Sequence, residues 1–194
     1  MDEHERAPVV AVFGSSTLRE GDAAYGEIRR LGAELARRGF AVMTGGYDGA
    51  MAAASRGADE AGGHVIGVTV ETFEARGPAN PWVRERVHTA DLPERLRVLA
   101  ARADAFVVVT GSIGTLTELF LCWTLVAVGA RPRAPLVLMG EHWHEWIELH
   151  RSPGFVAEHL FRWVEVADSP EETAQRVAKR LGEVGEHRAA GASR

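Results

Sequence analysis

The stretch from Ala105 to Val128 constrains the fold most. An apolar run, Ala105-Phe106-Val107-Val108-Val109, leads into Thr110-Gly111-Ser112-Ile113-Gly114-Thr115-Leu116-Thr117-Glu118, and apolar residues then continue to Val128. The first run reads as a strand buried on both faces, and Leu116 to Val128 reads as a helix. In an open α/β sheet such a junction lies at the carboxyl end of the strands, where ligands bind. The first N–H groups of the helix have no helical partner and favour an anion. Gly111 and Gly114 let the main chain come close to that anion. Ser112 and Thr115 stand beside them, and Glu118 places a carboxylate one turn further on. The pattern points to chemistry on a phosphorylated small molecule. The same residues admit a second reading, in which Thr115-Leu116-Thr117-Glu118 is a capping box that only closes the helix start.

The strand–turn–helix pattern recurs. Val9 to Phe13 is an apolar strand followed by Gly14-Ser15-Ser16-Thr17 and an amphipathic helix from Asp22 to Arg38, with Ile28, Leu31 and Leu35 inward. Phe40 to Met43 is followed by Thr44-Gly45-Gly46-Tyr47-Asp48-Gly49-Ala50-Met51, which is either a second anion cradle or a plain tight turn. The small-residue helix from about Gly49 to Ala61 suits close packing against a sheet or a second subunit. His64 to Val70 is a third strand. Glu71 to Trp82 is loop-like and reads as a lid, a specificity element or a connection. Tyr47, Met51 and Trp82 either shape a base pocket or are simply packed. Val83 to His88 reads as a short strand. Leu92 to Ala101 is a helix whose Arg95 and Arg97, with Arg102 just beyond, have a solvated face as their plain reading. Pro135 to Met139 is a strand, Glu141 to His150 a helix and Phe161 to Val166 the last strand. Ser169-Pro170 opens a final helix to about Leu181. This alternation predicts an α/β fold: a single-domain, doubly wound, Rossmann-like and mostly parallel sheet over 8–182, with helices on both faces. Residues 1–7 and 183–194 read as flexible tails. The turns after Phe13, Met43 and Val109 converge on one edge.

Several classes of function drop out. A net charge of -5 argues against a nucleic-acid surface, whose footprint is basic. No apolar run reaches membrane-spanning length, and the polar, acidic start is no signal peptide, so the cytoplasm is expected. Cys122 is the single cysteine and reads as a buried thiol. Lys179 is the only lysine, in a polar helix, which removes both a pyridoxal-phosphate enzyme and a P-loop. No Gly-x-Gly-x-x-Gly follows the first strand, so a nicotinamide or flavin site has little support. The histidines lack ligand spacing: His144-Glu145-Trp146-Ile147-Glu148 has glutamate where a zinc-protease helix needs histidine. No metal and no cofactor are expected. Gly14-Ser15-Ser16 is not a nucleophile elbow, and both serines read as donors to a phosphate or ribose.

With these turns in view, the chain resembles the Lonely Guy (LOG) family. The family pattern is Gly-Gly-Gly-x-x-Gly-Leu-Met-Gly, then an Arg-Lys pair on a later helix, then Pro-Gly-Gly-x-Gly-Thr-x-x-Glu. Here these are Thr44 to Ala52, Arg95-Leu96 and Thr110 to Glu118, and Val12-Phe13-Gly14-Ser15-Ser16 also fits. The resemblance covers roughly Val9 to Leu181. It implies a phosphoribohydrolase, which cleaves the N-glycosidic bond of a nucleoside 5′-monophosphate to free base and ribose 5-phosphate. In plants and many microbes the base can be a cytokinin. It further implies that Glu118 and Arg95 are the catalytic pair. Gly14, Ser15, Ser16, Gly45, Gly46, Gly49, Met51, Gly111, Ser112, Gly114 and Thr115 would hold the substrate and its phosphate. The active site would lie at a homodimer interface. The chain departs from the pattern at Thr44, Ala50, Ala52, Leu96, Thr110 and Ser112. The alternative is a non-catalytic nucleotide or molybdenum-cofactor carrier of the same fold, which the altered Thr110-Gly111-Ser112 loop and Leu96 favour. The identity of the base is not legible in the sequence.

Overall fold

The computed structural model describes residues 6–131, 134–151 and 155–192, with the side chains of 74, 76 and 184–192 outside the description. Its strands are β1 (Val9–Phe13), β2 (Ala41–Thr44), β3 (Val65–Val70), β4 (Glu85–Thr89), β5 (Ala105–Val108), β6 (Leu136–Met139) and β7 (Glu165–Ala167). Its α-helices are α1 (Ala23–Arg37), α2 (Ala50–Glu60), α3 (Leu92–Arg102), α4 (Ile113–Ala127), α5 (His142–His150) and α6 (Pro170–Ala192). The strands form one seven-stranded sheet in the order β4-β3-β2-β1-β5-β6-β7, and every pairing is parallel. Among the described residues, no helix is long and apolar enough to cross a membrane.

The apolar runs make the sheet's interior. Strands β1, β2, β3, β5 and β6 are buried at every position, as expected where helices cover both faces. Strand β4 lies at the edge and alternates between half-buried and exposed positions up to the buried Thr89. Ile28, Leu31, Leu35, Ala53 and Val177 close one face from α1, α2 and α6. Leu99, Leu119, Trp123 and Trp143 close the other from α3, α4 and α5. The small residues of α2 are used within this packing. A Cβ at Gly57 would strike the Arg29 carbonyl of α1, and one at Gly32 would strike the Ala54 carbonyl of α2.

Four details differ from the sequence reading. Helix α4 starts at Ile113 rather than Leu116. The stretch read as a last strand from Phe161 is divided: Glu158–Trp163 is a 3-10 helix and only Glu165–Ala167 joins the sheet. Trp123 explains this. Its Nε1 donates to the Leu160 carbonyl at 3.0 Å and its ring meets Phe161 edge-on at 5.1 Å, so the segment is bound to α4 before it reaches the sheet. The loop after β3 opens with a 3-10 helix, Glu71–Arg76. Helix α6 continues past Leu181 to Ala192, so the stretch from 183 read as a tail has helical backbone; it is rich in Glu, Arg and Ala and lacks proline. Residues 1–5 and 193–194 of the expected tails lie outside the described residues.

Candidate active site

Strand β1 pairs with β2 on one side and β5 on the other, so the sheet order reverses between β1 and β5. The helices that follow β1 and β5, α1 and α4, cover opposite faces of the sheet, and the crevice at such a switch point is where these sheets bind ligands. The turns are tied together. The Ser15 amide donates to the Thr110 carbonyl at 2.9 Å, and the Ala50 amide donates to the Ser15 carbonyl at 2.7 Å. The turns after β1, β2 and β5 therefore converge, and a cleft of about 370 Å³ opens beside them. That volume suits a small-molecule ligand.

Gly14 and Ser16 line the cleft from the first turn, and Gly45 and Met51 from the second. Ser112, Gly114, Thr115 and Glu118 line it from α4, and Arg95 reaches it from α3. Ser15, Gly46, Gly49 and Gly111 fall outside the lining and shape the turns. Gly49 adopts φ 69°, and a Cβ there would strike the Ser15 carbonyl, so only glycine suits the position. The Gly46 carbonyl accepts from the Asn80 amide at 2.8 Å. Ser15 Oγ accepts from the Thr17 amide at 3.1 Å and sits 2.8 Å from the Thr17 hydroxyl.

The start of α4 does not form the capping box that its sequence allows. Ser112 is the N-cap and its side chain makes no cap hydrogen bond. The first helical bond runs from the Leu116 amide to the Ser112 carbonyl at 3.0 Å, so the amides of Ile113, Gly114 and Thr115 precede it. Thr115 lies inside the first turn and is buried, and Glu118 lies two residues beyond the first bonded amide. The capping role read for Glu118 is thereby overturned. A Cβ at Gly114 would meet nothing within 4 Å, so the helix mouth is open on that side. Open amides and the positive end of a helix dipole suit an anion.

Arg95 is not on a solvated face. It is 7% exposed, whereas Arg97 on the same helix has a side chain 69% exposed. Arg95 Nε donates to the Val68 carbonyl at 2.8 Å, Nη2 lies 4.0 Å from the Met51 sulfur, and Nη1 lies 3.7 Å from Glu118 Oε1. The guanidinium occupies the space a side chain at Gly45 would need. The Glu118 side chain is 13% exposed. Burial pushes its carboxyl up to about 7, and the Arg95 charge opposes that rise. Cys122, one turn on, is buried; burial and the Glu118 charge push its thiol up to about 12, which leaves it inert as a nucleophile.

The remaining wall is apolar. Tyr47, Phe73, Leu92, Leu96 and Ile113 join the lining. Tyr47 is pinned: its hydroxyl donates to the Val70 carbonyl and accepts from the Val70 amide, each at 3.0 Å. Phe73 meets Tyr47 edge-on at 5.9 Å. Leu92 and Leu96 lie one helical turn apart, which puts both on one face with Arg95 nearby; Leu96 stands out in the sequence only as a departure from the Arg-Lys pair, and Leu92 not at all. Trp82 lies apart from this cleft, under the Arg56 guanidinium at 5.5 Å from its ring centroid. Among the described residues no group of three or more His, Cys, Asp or Glu is placed to hold a metal ion.

The chain is similar to several known proteins. Residues 51–177 match the protein family described as "possible lysine decarboxylase". A cytokinin riboside 5′-monophosphate phosphoribohydrolase from Mycobacterium tuberculosis is 32% identical over 133 residues, 66% of this chain and 71% of that protein. A pyrimidine/purine nucleotide 5′-monophosphate nucleosidase from Escherichia coli is 31% identical over 147 residues, 70% of this chain but only 32% of that longer protein. A Moco carrier protein from Chlamydomonas reinhardtii superposes with a TM-score of 0.67 at 26% identity, over 91% of this chain and 99% of that one. The one lysine, Lys179, is exposed on α6 and stands outside the cleft. By its matched sequence and its parallel seven-stranded sheet, the chain belongs to the Lonely Guy family.

Proposed function

We propose that this protein is a nucleoside 5′-monophosphate phosphoribohydrolase. The observation that carries the reading is Glu118: a largely buried carboxyl lining the cleft, 3.7 Å from the buried Arg95 and beside a helix start with no side-chain cap. The substrate phosphate sits on the amides of Ile113, Gly114 and Thr115, with the hydroxyls of Ser16 and Ser112 at hand. This places the ribose over Glu118 and the base toward the apolar wall. Breaking the bond between C1′ and the base nitrogen leaves the electron pair on the base and builds positive charge on the ribose. The Glu118 carboxylate stabilises that charge and accepts a proton from the water that adds to C1′. The proton passes to the departing base, and ribose 5-phosphate and free base result. Arg95 orients the carboxylate and keeps part of it ionised despite burial. The relatives' substrates support this class, and their different bases leave the base to be measured.

We further propose a homodimer through α4. Ile113, Phe120 and Val128 lie along one stripe of that helix and are 82%, 40% and 70% exposed, and the stripe begins at the mouth of the cleft. Val128→Glu at the C-terminal end of this stripe gives a monomer by size exclusion with light scattering; an unchanged dimer contradicts this surface.

A second reading, a phosphate-ligand carrier, has specific support in the near full-length match to the Moco carrier protein and in Leu96 and Ser112. Product analysis separates the two. The protein is incubated with a panel of nucleoside 5′-monophosphates, and free base and ribose 5-phosphate are quantified. The hydrolase releases both, and Glu118→Gln releases neither. No release from any nucleotide, with ligands still raising the melting temperature, moves the assignment to a carrier.

A further inference from the structure

Arg95 is held by more than its polar partners. Its guanidinium carbon lies 5.9 Å over the ring centroid of Phe73, within reach of a cation–π contact. Phe73 comes from the short 3-10 helix Glu71–Arg76, which leaves the sheet at the end of β3, and its ring lines the same cleft as Glu118. Its edge rests on Tyr47, whose hydroxyl is fixed on both sides by Val70. The ring is thus held by Tyr47 and lies beneath a guanidinium that also meets the Val68 carbonyl, Met51 and Glu118. The Arg95–Glu118 separation of 3.7 Å is longer than a good hydrogen bond, so the fork is not locked to the carboxylate directly and depends on its other contacts for its aim.

We propose that Phe73 is a positioning residue, which presses Arg95 toward Glu118 and so sets the fraction of Glu118 that is ionised in the cleft. The rate readout rests on the hydrolase reading above; the titration readout does not. The described charges acting on Glu118 are few. Arg95 faces it from α3, and Cys122 follows it on α4 with a thiol that burial keeps protonated. Tyr47 faces the cleft from the turn after β2, with its hydroxyl on Val70. Burial and Arg95 act on the carboxyl in opposite directions, so the sign of a change tells which one Phe73 controls. Loosening Arg95 removes the support for the ionised form and moves the titration upward. Merely admitting water relieves burial and moves it downward.

The test is Phe73→Ala, followed by 13C NMR titration of glutamate-labelled protein, with the Glu118 signal assigned from its loss in Glu118→Gln. The expected result is titration above the wild-type midpoint of about 7, together with a fall of about tenfold in kcat/KM at neutral pH, the size of a lost cation–π contact. Phe73→Tyr, which keeps the ring, brings both back toward wild type. Phe73→Leu, which keeps apolar bulk without the π face, shows the upward shift even if the alanine variant fails to fold. A downward or unchanged titration in folded Phe73→Ala or Phe73→Leu overturns the proposal. Absence of turnover in the wild type with the upward shift intact would instead remove the hydrolase reading and leave the positioning role standing.

Discussion

Helices α3 and α4 both begin at the carboxyl edge of the sheet, and their starts are built in opposite ways. At α3 the Asp91 side chain accepts from the Glu94 amide at 2.7 Å, the Glu94 carboxylate accepts from the Ala90 amide at 2.9 Å, and Pro93 occupies the first turn. The sequence itself satisfies the orphan donors there, which stabilises the helix. At α4 the N-cap Ser112 makes no such bond, and the mouth at Gly114 is open. A start left unfilled forgoes roughly 1 kcal/mol of capping and keeps its amides for a ligand. The contrast extends to the carboxylates. Glu94 closes its own helix, whereas Glu118 is carried into the cleft against Arg95.

The substitution that separates the two carboxylates most is Glu118→Gln, which should lower turnover by about 10³-fold or more. It should also stabilise the protein above neutrality. The unfolded chain releases this proton near 4.5 and the folded chain holds it until about 7. Between these values the native state binds more protons, so wild-type stability falls as pH rises, by about 3 kcal/mol at full ionisation. Glutamine resembles the neutral carboxyl and escapes that loss. Melting curves of the two proteins should coincide near pH 4 and separate by pH 8, with the variant higher; equal curves at both would show that burial does not load Glu118.

The same titration governs the rate. With the carboxylate as the active form, kcat/KM should rise about tenfold per pH unit below the midpoint and level off above about 7. A profile flat from pH 5 to 8 would remove Glu118 from proton transfer.

Smaller effects address the helix starts directly. Gly114→Ala adds a methyl group that meets nothing in the protein, so the melting temperature should hold or rise, while nucleotide affinity should fall by about tenfold. Asp91→Ala should do the reverse: it removes a filled cap, at about 1 kcal/mol of stability, and leaves ligand affinity unchanged. Denaturant unfolding combined with ligand titration reads both variants, and a loss of affinity in Asp91→Ala would erase the distinction between the two starts.

Much of the fold was legible because the strands are buried on both faces and read as unbroken apolar runs. The convergence of three turns followed from the parallel alternation alone. What the sequence left open depended on register within a turn. Thr115 to Glu118 matches a capping box in residue types, yet α4 begins two residues before Thr115, which turns the threonine inward and carries the glutamate to Arg95. Arg95 and Arg97 look alike in the sequence. Which of them is buried was set by the approach of β3, whose Val68 carbonyl captures one of them. The last strand was misplaced because a distant residue, Trp123, binds the preceding segment. Phe73 escaped notice because no periodic pattern places a loop aromatic against a guanidinium.

The most direct measurement is calorimetric titration of Glu118→Gln, which does not consume its ligand, with AMP and with adenosine. An open helix start that seats the phosphate predicts that AMP binds at least about tenfold tighter than adenosine, and that Gly114→Ala in the same background removes the difference. Equal affinity for the two would contradict the phosphate seat on α4, and with it the placement of the ribose over Glu118.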